Sequence, residues 1–337
     1  MADFSFFLDD PEWLAHRFVE SDDAFRFLRV PREDHAKLAF LTDECLGSRE
    51  TSPEIPAAEC LTQDDAAPVH FLFHSAFCGS TMLIRALSQS GIAMGLSEPQ
   101  VLNDVVGFRR RGAELLAVAR ATDAATRLLG RPFAIGEVVI VKPSNIINPM
   151  ARLLLGLRKD SKALFLHAPL ETFLVSVANK GMHCRIWVRE LLLGYLREGV
   201  LEGMGFMPDD FFRQSDLQIA AVGWLAQQRL FAQLGGEVGT RLASLDADLM
   251  MADPAQALDA VSTYYGLDLD IAAALAGPAF TRHSKSGLAY SSETRRADYE
   301  RVRAAHDEEI TMASAWARVV AERAGINLAA PNPLLNG

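Results

Sequence analysis

Val69-His70-Phe71-Leu72-Phe73-His74-Ser75-Ala76-Phe77-Cys78-Gly79-Ser80-Thr81-Met82-Leu83 is the stretch on which the reading of this chain turns. Val69 through Phe73 make an apolar run of strand length, bounded by a loop in which small residues predominate. Met82, Leu83, Ala86 and Leu87 then recur at helical spacing, and Gly91 stops the helix. A strand, a small-residue loop and a helix in that order turn successive backbone N–H groups toward one point. The helix start adds about half a positive charge, so the loop is built to cradle an anion. Of the phosphate-loop pattern G-x-x-x-x-G-K-[ST], Gly79 and Thr81 match, while His74 and Ser80 stand at the first glycine and the lysine. The same residues also suit a plain crossover in which Gly79, Ser80 and Thr81 only cap a helix.

Working outward, further apolar strands are expected at residues 138–141, ending in Lys142-Pro143, at 163–166, ending in His167, and at 241–245. Helices are expected over residues 113–129 with Gly130 as the stop, after Pro169, over 186–201 and 217–234, from Pro254 to Tyr265, and over 299–324. Strands alternating with helices imply a three-layer α/β/α domain around a parallel sheet. Ahead of it, Trp13, Leu14 and Phe18, then Phe25, Phe27 and Leu28, suggest the buried faces of helices, and Pro31 opens another through Leu46. Residues 47–68, rich in Ser, Pro, Glu, Asp and Ala, read as a linker. The expected organisation is a helical extension with linker over residues 1–66 and the α/β domain over 67–337.

The bulk composition fits this reading. The chain has 337 residues, 50% of them hydrophobic and 23% charged, as in an ordinary globular protein. A formal charge of −10 argues against non-specific nucleic-acid or anionic-membrane binding, and leaves room for an anionic ligand in a locally basic cleft. Cys45, Cys60, Cys78 and Cys184 have no metal-like spacing and are too few for a disulfide framework. Acidic residues stand where a signal peptide would carry basic ones, and no apolar run reaches membrane-spanning length. The expectation is a cytoplasmic enzyme or binding protein that needs no metal.

Several pieces together resemble the sulfotransferase branch of phosphate-loop proteins. That family carries P-[KR]-S-G-T-T after its first strand; Cys78-Gly79-Ser80-Thr81 stands in place of S-G-T-T, with Phe77 at the basic position. Ser97-Glu98-Pro99 is similar to a K-E-P segment whose glutamate is the catalytic base, and Val141-Lys142-Pro143-Ser144 to a K-[ST]-P stretch. His167-Ala168-Pro169-Leu170-Glu171 and Ser176 resemble the motif that grips a nucleotide 3′-phosphate, with His167 replacing arginine and Ser176 one residue late. Residues 241–267 resemble a late structural segment, and Lys285 lies where many members close a basic loop over the nucleotide.

The resemblance implies sulfuryl transfer from 3′-phosphoadenosine 5′-phosphosulfate to a hydroxyl or amine on a small-molecule or peptide acceptor. Ser75, Ala76, Phe77, Cys78, Gly79, Ser80 and Thr81 would hold the 5′-phosphosulfate, and His167, Ser176 and Lys285 the rest of the nucleotide. Glu98 would be the base and Lys142 the cation at the leaving oxygen. Two alternatives stay open: a nucleoside-triphosphate-dependent kinase or hydrolase, and a non-catalytic anion-binding protein. Lys180, Arg185 and Arg189 are further basic candidates; His70 and His74, four apart, suit a core or loop role better than a metal pair.

Overall fold

Trp13–Val19 (β1) and Ala24–Arg29 (β2) are strands, a correction to the helices expected at the N-terminus. They pair antiparallel, Phe18 opposite Phe25 and Val19 opposite Ala24, with a register shift between Ala15 and Arg17. The turn between them includes Asp23 at φ 44°, a left-handed value that aspartate tolerates. Ile55–Pro56 (β3) extends the sheet from within the expected linker, its proline on an edge strand where no ladder donor is needed. The apolar pairs 13/14 and 27/28 fit a helix as well as a strand, so their spacing could not decide between the two periods. The helix expected from Pro31 through Leu46 is also broken, into Arg32–Lys37 and Asp43–Leu46. Leu41, in the break, spends its N–H on the Ser97 carbonyl and its carbonyl on the Gln100 N–H.

The computed structural model describes residues 3–61, 68–282 and 292–336. A second sheet consists of Val69–His74 (β4), Ala93–Ser97 (β5), Val138–Lys142 (β6), Ala163–His167 (β7) and Leu242–Asp246 (β8), in the order β5-β6-β4-β7-β8. Helices flank this parallel sheet in a three-layer α/β/α arrangement. Every residue of β4 and of β7 is buried, as apolar strands covered on both faces must be. The chain leaves β4 toward β5 and β6 on one side, and later adds β7 and β8 on the other.

β5 is an addition to the sequence reading, which assigned no strand to residues 93–97. Its Gly95 is required: a Cβ there would lie 2.4 Å from Ser88 Oγ and 2.7 Å from the Ile84 carbonyl oxygen. The helix Ser80–Leu87 therefore crosses close over β5 only because position 95 has no side chain. The expected C-terminal helix is two, Ser292–Ala305 and Asp307–Arg323, parted at His306.

The chain divides into two compact units. The first is Met1–Phe73, Ser80–Ala163 and Leu258–Gly287, so the described N-terminal residues group with β4, β5 and β6. Within it, the Arg131 guanidinium donates to the carbonyls of Phe7 (2.9 Å), Leu8 (2.8 Å), Asp10 (3.1 Å) and Trp13, and so fastens the N-terminal segment. The second unit is His74–Gly79, Leu164–Ala257 and Leu288–Gly337. Its longest helix, Asp216–Val238, starts with a capping box in which Ser215 and Gln218 bond each other's backbone N–H. Among the described residues, no helix is long and apolar enough to cross a membrane.

Candidate functional site

The loop after β4 is held in an unusual shape. Ala76 (φ 70°), Phe77 (φ 55°) and Gly79 (φ 81°) are all left-handed, and the two that are not glycine each cost on the order of 1–3 kcal/mol. Contacts inside the second unit hold the strain. The Ser75 N–H donates to the Leu166 carbonyl (3.1 Å), and Ser75 Oγ accepts from the Ala168 N–H (3.2 Å). The Ala76 N–H donates to His74 Nδ1 (3.1 Å). Phe77 packs its ring on Phe173 (5.9 Å) and edge-on against Trp187 (5.4 Å). Two amides of the expected cradle, those of Ser75 and Ala76, are thus spent within the protein. Cys78, wholly buried, lets the backbone turn beneath, and Ser80 and Thr81 follow as the first residues of the next helix. Both residues are buried, at 6% and 8% exposure.

The first unit brings Glu98 and Lys142 together. β5 and β6 pair with Ser97 opposite Lys142, and the Glu98 N–H donates to the Lys142 carbonyl (2.6 Å). Glu98 itself is left-handed at φ 51°, which swings its side chain back so that the Lys142 ammonium donates to its carboxylate. Lys142 is wholly buried, while the Glu98 side chain keeps 18% exposure. Phe40 places its ring 5.2 Å from the ammonium. That ring belongs to the break noted above: Leu41 bonds Ser97 and Gln100, and Ser97 Oγ donates to the Ala39 carbonyl (2.9 Å), so residues 39–41 strap the turn that carries Glu98. β4 and β6 pair with Phe71 opposite Val141, the residue before Lys142.

The remaining sequence candidates part ways. His167, the last residue of β7, is 8% exposed and stacks on Phe165 (5.5 Å). Burial holds its imidazole below the usual range despite the opposing pull of Asp246, so near neutrality it offers no charge to a phosphate. Ser176 is half-buried in the helix Leu170–Asn179. Lys285 lies outside the described residues. Arg185 is paired with Glu309 and Asp216, and Arg189 donates to Asp216 (2.6 Å) and to the Gln214 carbonyl, so both are structural. His70 accepts from the Lys162 N–H (3.2 Å) and stacks on Tyr265, a core role. Asp246, the acid at the end of β8, accepts from the N–H groups of Asp248 (2.7 Å) and Leu249 (3.3 Å) as a helix cap. Among the described residues no three His, Cys, Asp or Glu side chains gather as a metal site. Phe40 and the ring pair Phe173 and Trp187 were missed in the sequence; only Pro169 opening a helix hinted at the second.

No family model and no curated protein matches the chain. Solved structures that are similar to it include three sulfotransferases. A sulfotransferase from Mycobacterium avium shares 11% identity at a TM-score of 0.42, over 74% of this chain and 79% of that one. The sulfotransferase domain of the olefin synthase from Synechococcus PCC 7002 shares 15% at 0.39, over 72% and 90%. A sulfotransferase from Alicyclobacillus acidocaldarius shares 18% at 0.38, over 71% and 95%.

Proposed function

We propose that this chain is a sulfotransferase-like enzyme that moves a sulfuryl group from 3′-phosphoadenosine 5′-phosphosulfate to a hydroxyl or amine. The observation that carries the reading is the Glu98–Lys142 pair, set at the carboxyl ends of two adjoining strands beside the loop-bearing strand. A base and a cation fixed together are the two groups that such a transfer needs. Glu98 takes the proton of the attacking group as the new S–O or S–N bond forms. Lys142 stabilises the charge that gathers on the phosphate oxygen as its bond to sulfur breaks. The donor supplies the activated sulfur; residues 77–81, with the hydroxyls of Ser80 and Thr81, would hold its 5′ end. The acceptor would be a small molecule or a peptide.

The residue chemistry favours this over a magnesium-dependent kinase. β6 ends in Lys142 and β7 in His167, and the strand-end acid Asp246 already caps a helix. A kinase or nucleotide hydrolase wants a carboxylate there for its metal and a lysine where Ser80 stands.

Calorimetry tests the reading by titrating one preparation with 3′-phosphoadenosine 5′-phosphate and then with ATP plus Mg²⁺. Selective binding of the bisphosphate is expected. Magnesium-dependent ATP binding would replace the reading with the kinase, and Glu98→Gln with unchanged turnover would remove the base.

A further inference from the structure

Both ends of the Gln228 carboxamide, His167 Nδ1 and Ser244 Oγ are buried in the second unit without a hydrogen-bond partner among the described residues. Gln228 and Ser244 are 1% exposed and His167 is 8% exposed. A polar group buried unmet is destabilising, and folded interiors almost always supply it with a partner. We infer that these three side chains enclose an internal water site, and that the water held there ties the helix Asp216–Val238 to the carboxyl ends of β7 and β8.

The three side chains come from separate elements that converge on one place. On β7, Phe165 and His167 share a face, and their rings stack at 5.5 Å. The helix covers that face, because Phe231 stacks on Phe165 at 4.0 Å and Trp224 Nε1 donates to the Ala168 carbonyl (2.9 Å). Trp224, Gln228 and Phe231 lie on one side of the helix, four and three residues apart. Helix and strand therefore run in opposite directions, and Gln228 stands about 4.5 Å along the axis from Phe231, level with the end of β7 beside His167. β8 adjoins β7 in the sheet. A Cβ at Gly235 of the same helix would lie 3.6 Å from Leu242 Cδ2, so Leu242 faces the helix, and Ser244, two residues on, shares its face. Gln228 precedes Gly235 by two turns, about 10.5 Å, which brings it past Ser244 toward the end of β8. The Ser244 backbone is already paired, its N–H donating to the Asn332 carbonyl (3.0 Å) and its carbonyl accepting from the Leu334 N–H (2.8 Å). Its hydroxyl is what remains.

The chemistry of the lining selects the occupant. The carboxamide both donates and accepts, as do the serine hydroxyl and a neutral imidazole. Burial keeps His167 neutral near pH 7. The two acids that act on it are engaged elsewhere: Asp246 caps a helix, and Asp248 accepts from Thr172 Oγ1 (2.7 Å). A lining of neutral groups offers a cation or an anion no counter-charge. Water needs two to four polar partners in an interior, and four atoms are present here. The site does not depend on the nucleotide chemistry proposed above.

Two measurements on the full chain test the site. Diffraction from the unaltered protein should show one or two ordered waters within about 3.2 Å of the Gln228 carboxamide and of His167 Nδ1 or Ser244 Oγ. The second is the urea midpoint of Gln228→Leu and of Ser244→Ala. Gln228→Leu removes the centre of a bonded network and strands its other members, so its midpoint should fall by roughly 0.5 M or more. Ser244→Ala, which takes one partner from the water, should fall by less. In a dry interior the first substitution would only remove an unmet amide, and the midpoint would rise. A midpoint of Gln228→Leu that rises or stays unchanged overturns the inference. Density that shows an empty void, or the three side chains bonded directly to one another, overturns it as well, even if Gln228→Leu does not fold.

Discussion

Lys142 and Lys180 each lie over a phenylalanine ring at nearly the same distance, 5.2 Å and 5.5 Å, yet they are held in opposite ways. Lys142, in the first unit, is wholly buried and locked to a carboxylate whose own backbone is strained to meet it. Lys180, in the second unit, is exposed at a junction of two helices and rests on a loop side chain. A buried charge must be matched by the protein itself, so Lys142 is part of the fold as much as of the chemistry. An exposed charge keeps most of its hydration whatever it touches, so Lys180 can be lost with little effect on folding.

The same substitution at the two sites should therefore give unlike results. Lys142→Met leaves the Glu98 carboxylate without its buried partner and should cost about 3 kcal/mol of stability, seen as a lower urea midpoint. Adding Glu98→Gln to it should return part of that loss; a double variant no more stable than the single one would mean that packing, not charge, governs the site.

Acid probes the first unit in a second way. Burial pushes His35 and His70 down to about 4, well under the value of about 6.5 expected unfolded. Both must be neutral when folded, so they cost nothing above pH 6.5, and stability falls as pH drops from there toward 4. At pH 5 each should account for about 2 kcal/mol. Urea midpoints at pH 7.5 and pH 5 measure it, and His35→Leu should remove roughly half of the difference. A protein equally stable at both values would contradict the burial argument. The smallest effect belongs to the second unit: Lys180→Met should change stability by no more than about 1 kcal/mol, the size of an exposed cation–π contact. A shift comparable to that of Lys142→Met would erase the contrast between the two lysines.

How much of this was legible in the sequence follows a physical pattern. β4, β6, β7 and β8 are continuous apolar runs because both sheet faces are covered, and such runs can be read directly. β5 could not be read that way, since Gly95 interrupts it for the sake of a helix crossing above. β1 and β2 were misread because their apolar pairs fit two periods, and only pairing across the turn decides. At the site, the loop was visible from its small residues, but the left-handed sequence through Ala76, Phe77 and Gly79 was not, since two of those residues rarely adopt it. The Glu98–Lys142 contact spans 44 residues, and Phe40 joins it from a third segment. Contacts of that kind exist only once the sheet has aligned its strands.

The measurement that bears most directly on the central claim is diffraction from crystals grown with 3′-phosphoadenosine 5′-phosphate and no divalent metal. The 5′-phosphate should lie against the amides of residues 77–81 and within hydrogen-bond reach of Ser80 or Thr81. A nucleotide bound with its 5′-phosphate elsewhere, while those hydroxyls face only water, would contradict the account.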